Sequence, residues 1–175
     1  MDLKKHIRSI PDYPKKGILF RDITTLIKNK DAFKETLDQM SQILKKLNFD
    51  KFAAIESRGF IFASALAYNF STPLILLRKQ NKLPADRYSV EFQLEYGKST
   101  LEIHKDSINS KEKIIIIDDL IATGGTAEAG AKLVEKSEGV IQAFIFVINL
   151  FDLGGKKLLE NKGYKTYSLI EFPGH

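Results

Sequence analysis

The residues with the most evident chemistry lie between Ile114 and Thr126, which reads Ile-Ile-Ile-Ile-Asp-Asp-Leu-Ile-Ala-Thr-Gly-Gly-Thr. Asp118 and Asp119 suit sugar hydroxyls, a metal ion or a developing positive charge; they do not suit phosphate. The loop from Ala122 to Thr126 is small-residue and opens an amphipathic segment. Free backbone N–H groups at such a helix start attract phosphate, and small residues let it approach. Phosphate beside hydroxyl acceptors points to a sugar phosphate. Each acid can also be read as a plain partner of a helix dipole, and the loop as an ordinary turn capped by Thr123.

A second polar turn, Glu56-Ser57-Arg58-Gly59, follows a short apolar run. A guanidinium such as that of Arg58 binds phosphate oxygens in pairs. A third basic group, Arg78, Lys79 and Lys82, has the composition of a solvated loop, or of a further anion contact. No His/Cys cluster is present for a metal, so no protein metal site is expected.

The elements that must carry these residues follow from hydrophobic period. Four β-branched residues at 114–117 predict a strand buried on both faces. Phe52–Ile55, Pro73–Leu77, Val140–Leu150 and Lys165–Phe172 predict further strands. Helices are expected over 31–47 with Asp31 as N-cap, over 60–70, over 124–137 and over 154–161. Ser99–His104 predicts a half-exposed strand in an excursion with the preceding loop, and 3–30 an irregular cover over the core. The alternation implies a three-layer α/β fold: a mainly parallel five-stranded sheet with flanking helices, in one domain spanning 1–175. Ligands bind such sheets at the carboxyl ends of the strands, where strand order reverses. If the strands at 52–56 and 114–118 are neighbours there, the Ser57–Gly59 loop faces the Asp118–Thr126 loop across one ligand.

Composition narrows the classes. Hydrophobic residues make up 43% and charged residues 28% of the 175-residue chain, as in an ordinary soluble domain. There is no cysteine, which excludes disulfides and thiolate metal sites. No apolar run reaches membrane-spanning length and no signal-peptide core follows Met1, so a cytoplasmic protein without membrane contact is expected. The net charge of +5 permits nucleic acid, but the lysines form no dense block.

Asp118 to Thr126 resembles the 5-phosphoribosyl 1-pyrophosphate (PRPP) signature of type I phosphoribosyltransferases. Four other segments resemble those that take adenine. Ile10–Pro14 with Gly17–Ile23 is similar to their N-terminal hood, and Glu56–Phe60 to their pyrophosphate loop. Arg78-Lys79 with Lys82–Pro84 is similar to their basic loop. Leu94-Glu95-Tyr96-Gly97 with Leu101–Ile103 is similar to the segment bearing their catalytic glutamate. Where that family often has glycine, this chain has Asn81 and Ala85; of these, Asn81 tolerates a left-handed backbone.

The resemblance implies transfer of the phosphoribosyl group from PRPP to adenine, giving AMP and pyrophosphate in purine salvage. It implies Glu95, Asp118 and Asp119 as catalytic residues. It gives Ser57, Arg58, Gly59, Arg78, Lys79, Lys82, Ala122, Thr123, Gly124, Gly125 and Thr126 to PRPP, and Phe20 and Arg21 to adenine. It also implies 3–30 as the hood, Mg²⁺ carried mainly by PRPP, and a homodimer. Rival readings are another base with the same chemistry, a PRPP-binding regulator on nucleic acid, and a phosphate-binding receiver domain.

Overall fold

The computed structural model describes residues 1–94 and 97–174. After a 3₁₀ turn at Leu3–His6, β1 (Arg8–Pro11) and β2 (Leu19–Asp22) form an antiparallel hairpin. α1 (Thr24–Ile27), α2 (Lys30–Leu44), β3 (Lys51–Ile55), α3 (Gly59–Phe70) and β4 (Leu74–Lys79) follow. Next come β5 (Arg87–Gln93) and β6 (Lys98–His104), then β7 (Lys113–Ile121), α4 (Gly125–Lys136), β8 (Val140–Leu150), α5 (Gly155–Asn161) and β9 (Thr166–Phe172).

The main sheet runs β5-β6-β4-β3-β7-β8-β9. The five strands from β4 to β9 are mutually parallel, and the antiparallel β5–β6 hairpin extends the sheet at one edge. The chain steps from β3 out to β4 and later returns to β7 on the other side of β3. Strand order therefore reverses between β3 and β7, and the neighbours expected there are neighbours.

The isoleucine run explains the layers. Ile114 to Ile117 are all fully buried. Ile115 and Ile117 enter one core with Phe62 and Leu66 of α3 and Met40 of α2. Ile114 and Ile116 enter the other with Leu133 and Val134 of α4 and Leu159 of α5. A period of two with helices on both faces yields an unbroken apolar run.

Four local expectations need correction. Asn29, not Asp31, caps α2; its side chain accepts from the Asp31 and Ala32 N–H groups at 3.1 and 3.0 Å. The segment 3–30 is not merely a cover, because Leu3, Ile23 and Leu26 belong to the core. The loop expected before Ser99 holds a full strand, β5, which alternates exposed and half-buried residues. And β6 is not half-exposed, since Leu101, Glu102 and Ile103 are all buried. Glu102 is held there by Arg87 at 3.1 Å, the Ser89 hydroxyl at 3.0 Å and the Asn81 N–H at 3.0 Å. Asn81 does adopt a left-handed backbone, with φ of 64°.

Candidate active site

At the reversal point a cavity of about 510 Å³ opens at the carboxyl ends of β3 and β7. Ser57, Arg58, Lys79, Asp118, Asp119 and the whole Ala122–Thr126 loop line it. A smaller cavity of about 160 Å³ adjoins it, lined by Phe20, Arg21, Leu150 and Leu153 among others. Arg58, Leu120 and Ala122 line both, so the two are compartments of one cleft.

Local backbone requirements build this geometry. A Cβ on Gly59 would lie 2.8 Å from the Ile117 carbonyl oxygen, so its absence lets α3 start hard against β7. That sets Arg58 beside the acid pair. Gly124 has φ of 92°, a backbone that side chains resist. It also packs against Gly155 at the head of α5, where an added Cβ would meet the Gly155 Cα at 3.0 Å. The Gly155 N–H donates to the Ala122 carbonyl at 2.9 Å. The loop is thus fastened from behind. Its front offers N–H groups: no side chain caps α4, and its first turn closes only at the Glu128 N–H donating to the Gly124 carbonyl at 2.8 Å.

The acids are close; Asp119 is buried and Asp118 half-buried. Asp118 accepts from the Asp119 N–H at 2.8 Å. Asp119 Oδ2 lies 3.0 Å from Arg58 Nε, but it is buried and without an aligned hydrogen bond. Burial pushes the Asp118 carboxyl well above its ordinary range, and the neighbouring Asp119 charge adds to this. Burial also raises Asp119, against the lowering pull of Arg58. Both therefore welcome added positive charge. Among the described residues no group of three or more His, Asp or Glu side chains could hold a metal. Two carboxylates with one oxygen unsatisfied fit a hard cation that brings its remaining oxygen ligands with it.

The remaining expected residues divide. Phe20 faces the cleft, with the Arg58 guanidinium 5.5 Å from its ring centroid. The Arg21 side chain turns away from the loop, its Nη2 donating to the Pro173 carbonyl at 2.9 Å. Lys79 lines the larger cavity, and its N–H donates to Glu56 at 2.8 Å. Arg78 and Lys82 do not line it; Arg78 spans Glu56 at 3.4 Å and the Lys82 carbonyl at 3.2 Å. Glu95 lies outside the described residues.

Other lining residues were not foreseen. Phe92, Gln93 and Leu94 of the β5–β6 hairpin roof the larger cavity, and a Cβ on Gly125 would lie 2.7 Å from the Gln93 carbonyl oxygen. Their alternation marks a strand, not a site. Leu150 could have been found, because it ends the strand beside β7.

The Phosphoribosyl transferase domain family matches residues 22–173. An adenine phosphoribosyltransferase of Pelagibacter ubique is 63% identical over 175 residues, all of both chains. This chain belongs to the adenine phosphoribosyltransferase family. The crystal structure of the family member from Thermoanaerobacter pseudethanolicus superposes with a TM-score of 0.93 at 46% identity, covering 98% of each chain. That from Saccharomyces cerevisiae, complexed with an imino-altritol bisphosphate and adenine, gives 0.91 at 32% identity over 97% of each. The fold is thus that of the type I phosphoribosyltransferases, and the chain is a pentosyltransferase.

Proposed function

We propose that this chain, acting as one domain, transfers the 5-phosphoribosyl group from PRPP to adenine, releasing AMP and pyrophosphate in purine salvage. The observation that carries the reading is the two-compartment cleft with Arg58 at its junction. The larger compartment has the parts PRPP needs. The uncapped start of α4 and the Thr123 and Thr126 hydroxyls suit the 5-phosphate. Arg58, Lys79 and the Ser57–Gly59 backbone suit the pyrophosphate. Adenine fits the smaller compartment, flat against Phe20 with Leu150 and Leu153 behind it, its amino edge read by the Arg21 backbone.

In the reaction a ring nitrogen of adenine bonds to the anomeric carbon as the bond from that carbon to the pyrophosphate oxygen breaks. Positive charge grows on the sugar. Asp118 and Asp119 face it; one carboxylate 4 Å from a unit charge is worth at most roughly 4 kcal/mol at an effective dielectric near 20. Glu95, next in the chain after the cavity-lining Leu94, manages the adenine proton. Asp118 and Asp119 would be the side chains to hold Mg²⁺ brought mainly by PRPP, which would offset phosphate charge.

The protein works as a homodimer in the cytoplasm, without nucleic acid or membrane. α3 exposes Ile61 and Tyr68, seven residues and so two turns apart on one face. Arg78 and Lys82 fit a role across that interface, since neither lines its own cleft. No helix among the described residues is long and apolar enough to cross a membrane, and a polyanionic sugar does not cross a bilayer unaided.

Incubation with PRPP, Mg²⁺ and each purine in turn, followed by identification of the nucleotide, tests the reading. AMP from adenine is expected. Turnover of hypoxanthine or guanine with none of adenine would overturn it.

A further inference from the structure

Beyond the catalytic cleft, one cluster of contacts has no part in the chemistry above. It gathers at the end of β9. Arg21 is only 6% exposed, although its backbone belongs to the hairpin over the smaller cavity. Its guanidinium does three things at once. Nη1 donates to the Ser9 hydroxyl on β1, Nη2 donates to the Pro173 carbonyl at 2.9 Å, and the plane lies 4.4 Å from the Phe172 ring centroid. One residue further on, the Gly174 N–H donates to the Asp152 carboxylate at 2.6 Å. Asp152 belongs to the turn at Phe151–Leu153, which carries Leu153 into the smaller cavity. Gly174 lines that cavity too, and a Cβ there would lie 2.6 Å from Leu153 Cγ.

Residues 172–174 thus thread between the hairpin and the Leu153 turn, tied to each. The cavity wall on one side is Phe20; on the other it is Leu153. The thread therefore bridges the two walls, held to the hairpin through Arg21 and to the Leu153 turn through Asp152. We propose that the segment Phe172–Gly174 is a spacer that sets the width of the base compartment, with Arg21 and Asp152 as its two positioning residues. The inference rests on the reading that the smaller cavity takes the base, and it assigns the Arg21 side chain a role separate from that of its backbone.

A spacer predicts an effect on one substrate only. Arg21→Lys keeps the charge but loses the planar fork that holds three groups together. Gly174→Ala places a Cβ 2.6 Å from Leu153 Cγ, so the thread or the Leu153 side chain must move and the gap between them changes. Each variant is expected to raise KM for adenine by about tenfold, the factor that one lost charge-assisted hydrogen bond gives. KM for PRPP should stay within about twofold in both, because no group of the larger cavity is touched. Asp152→Asn, which keeps the shape of the turn, should give a smaller rise in the same direction. An unchanged KM for adenine, or equal rises for both substrates, would overturn the proposal; a general loss of folded enzyme lowers apparent kcat and leaves both KM values where they were. Leu150→Phe separates this from the underlying reading, because it fills the small cavity directly. If Leu150→Phe raises KM for adenine while Arg21→Lys and Gly174→Ala do not, the spacer fails alone. If Leu150→Phe also leaves it unchanged, the base compartment itself is misplaced and the spacer falls with it.

Discussion

Asp118 and Asp119 sit where the protein is least hospitable to them. Both are ionisable groups in a buried setting that raises their pKa, so ionising them at neutral pH costs folding stability. The sign is fixed by linkage. A carboxyl with a raised folded-state pKa favours folding at low pH, and that contribution is lost as pH rises through the folded value. Asp118→Asn removes the cost while keeping the shape. It is expected to raise Tm by about 2–4 °C, equivalent to about 1 kcal/mol for a chain of this size. Turnover should fall by about 10²–10³, within the electrostatic ceiling for one carboxylate. Calorimetry and a steady-state assay check the two halves. A lower Tm in the variant would mean that the acid pair stabilises the fold. The pair was legible in the sequence because acids after an isoleucine run break a strong pattern. The partner at 3.0 Å, Arg58, was legible only as an anion binder, because sequence spacing cannot show that two loops share an ion pair.

At the level of elements, the hairpin of β1 and β2 depends on a single charge contact more than its length suggests. Burial pushes the Asp22 carboxyl up, but hydrogen bonds from Arg8 and Thr24 outweigh it and hold the pKa at about 2, against an ordinary 3.8. This depressed value contributes stability above the ordinary pKa, and the contribution disappears as pH falls through the folded one. Between about pH 4 and pH 2 the hairpin should therefore loosen from the body. Amide exchange in β1 and β2 should rise across that window ahead of exchange in β7, and Asp22→Asn should show the faster exchange already at pH 7. Uniform exchange across all strands would contradict it. The parallel strands and their helices were readable from period alone, within three residues at their ends except for β7, which runs on through the acids to Ile121. The N-terminal hairpin was not, because its four-residue strands are too short to show a period; β5 alternates polar and apolar residues along its length but lies within a stretch that carries no helical period and was expected as loop. The α2 cap was missed for a simpler reason: Asn29 and Asp31 are both good caps, and only the backbone turn decides between them.

For the whole molecule, the order of the sheet makes the site, and one exposed helix face is where the proposed homodimer would form. Tyr68 is 86% exposed and Ile61 40% exposed, on one helix that packs its other face into the core. A Tyr68→Lys variant should shift sedimentation toward monomer, with the change most evident at low protein concentration. A species of unchanged mass would place the interface elsewhere. The end of the sheet proposed to take phosphate was legible, since its loops carry polar and small residues after apolar runs. It hid the second compartment, whose walls come from β2, from the end of β8 and from the residues after β9, separated by more than a hundred positions. Apolar side chains gathered from such distances leave no local pattern.

The back-to-back glycines at 124 and 155 have a consequence for anyone redesigning this loop. In a saturation library they behave as a single locked position. A side chain at either one collides with the backbone of the other segment, so no replacement at one rescues a replacement at its mate. Variation tolerated by the loop is confined to its open face, where Thr123 is exposed and Thr126 half-buried. A search for altered phosphate or sugar preference that diversifies those two threonines and leaves both glycines alone will sample folded proteins, and one that spreads its changes evenly will not.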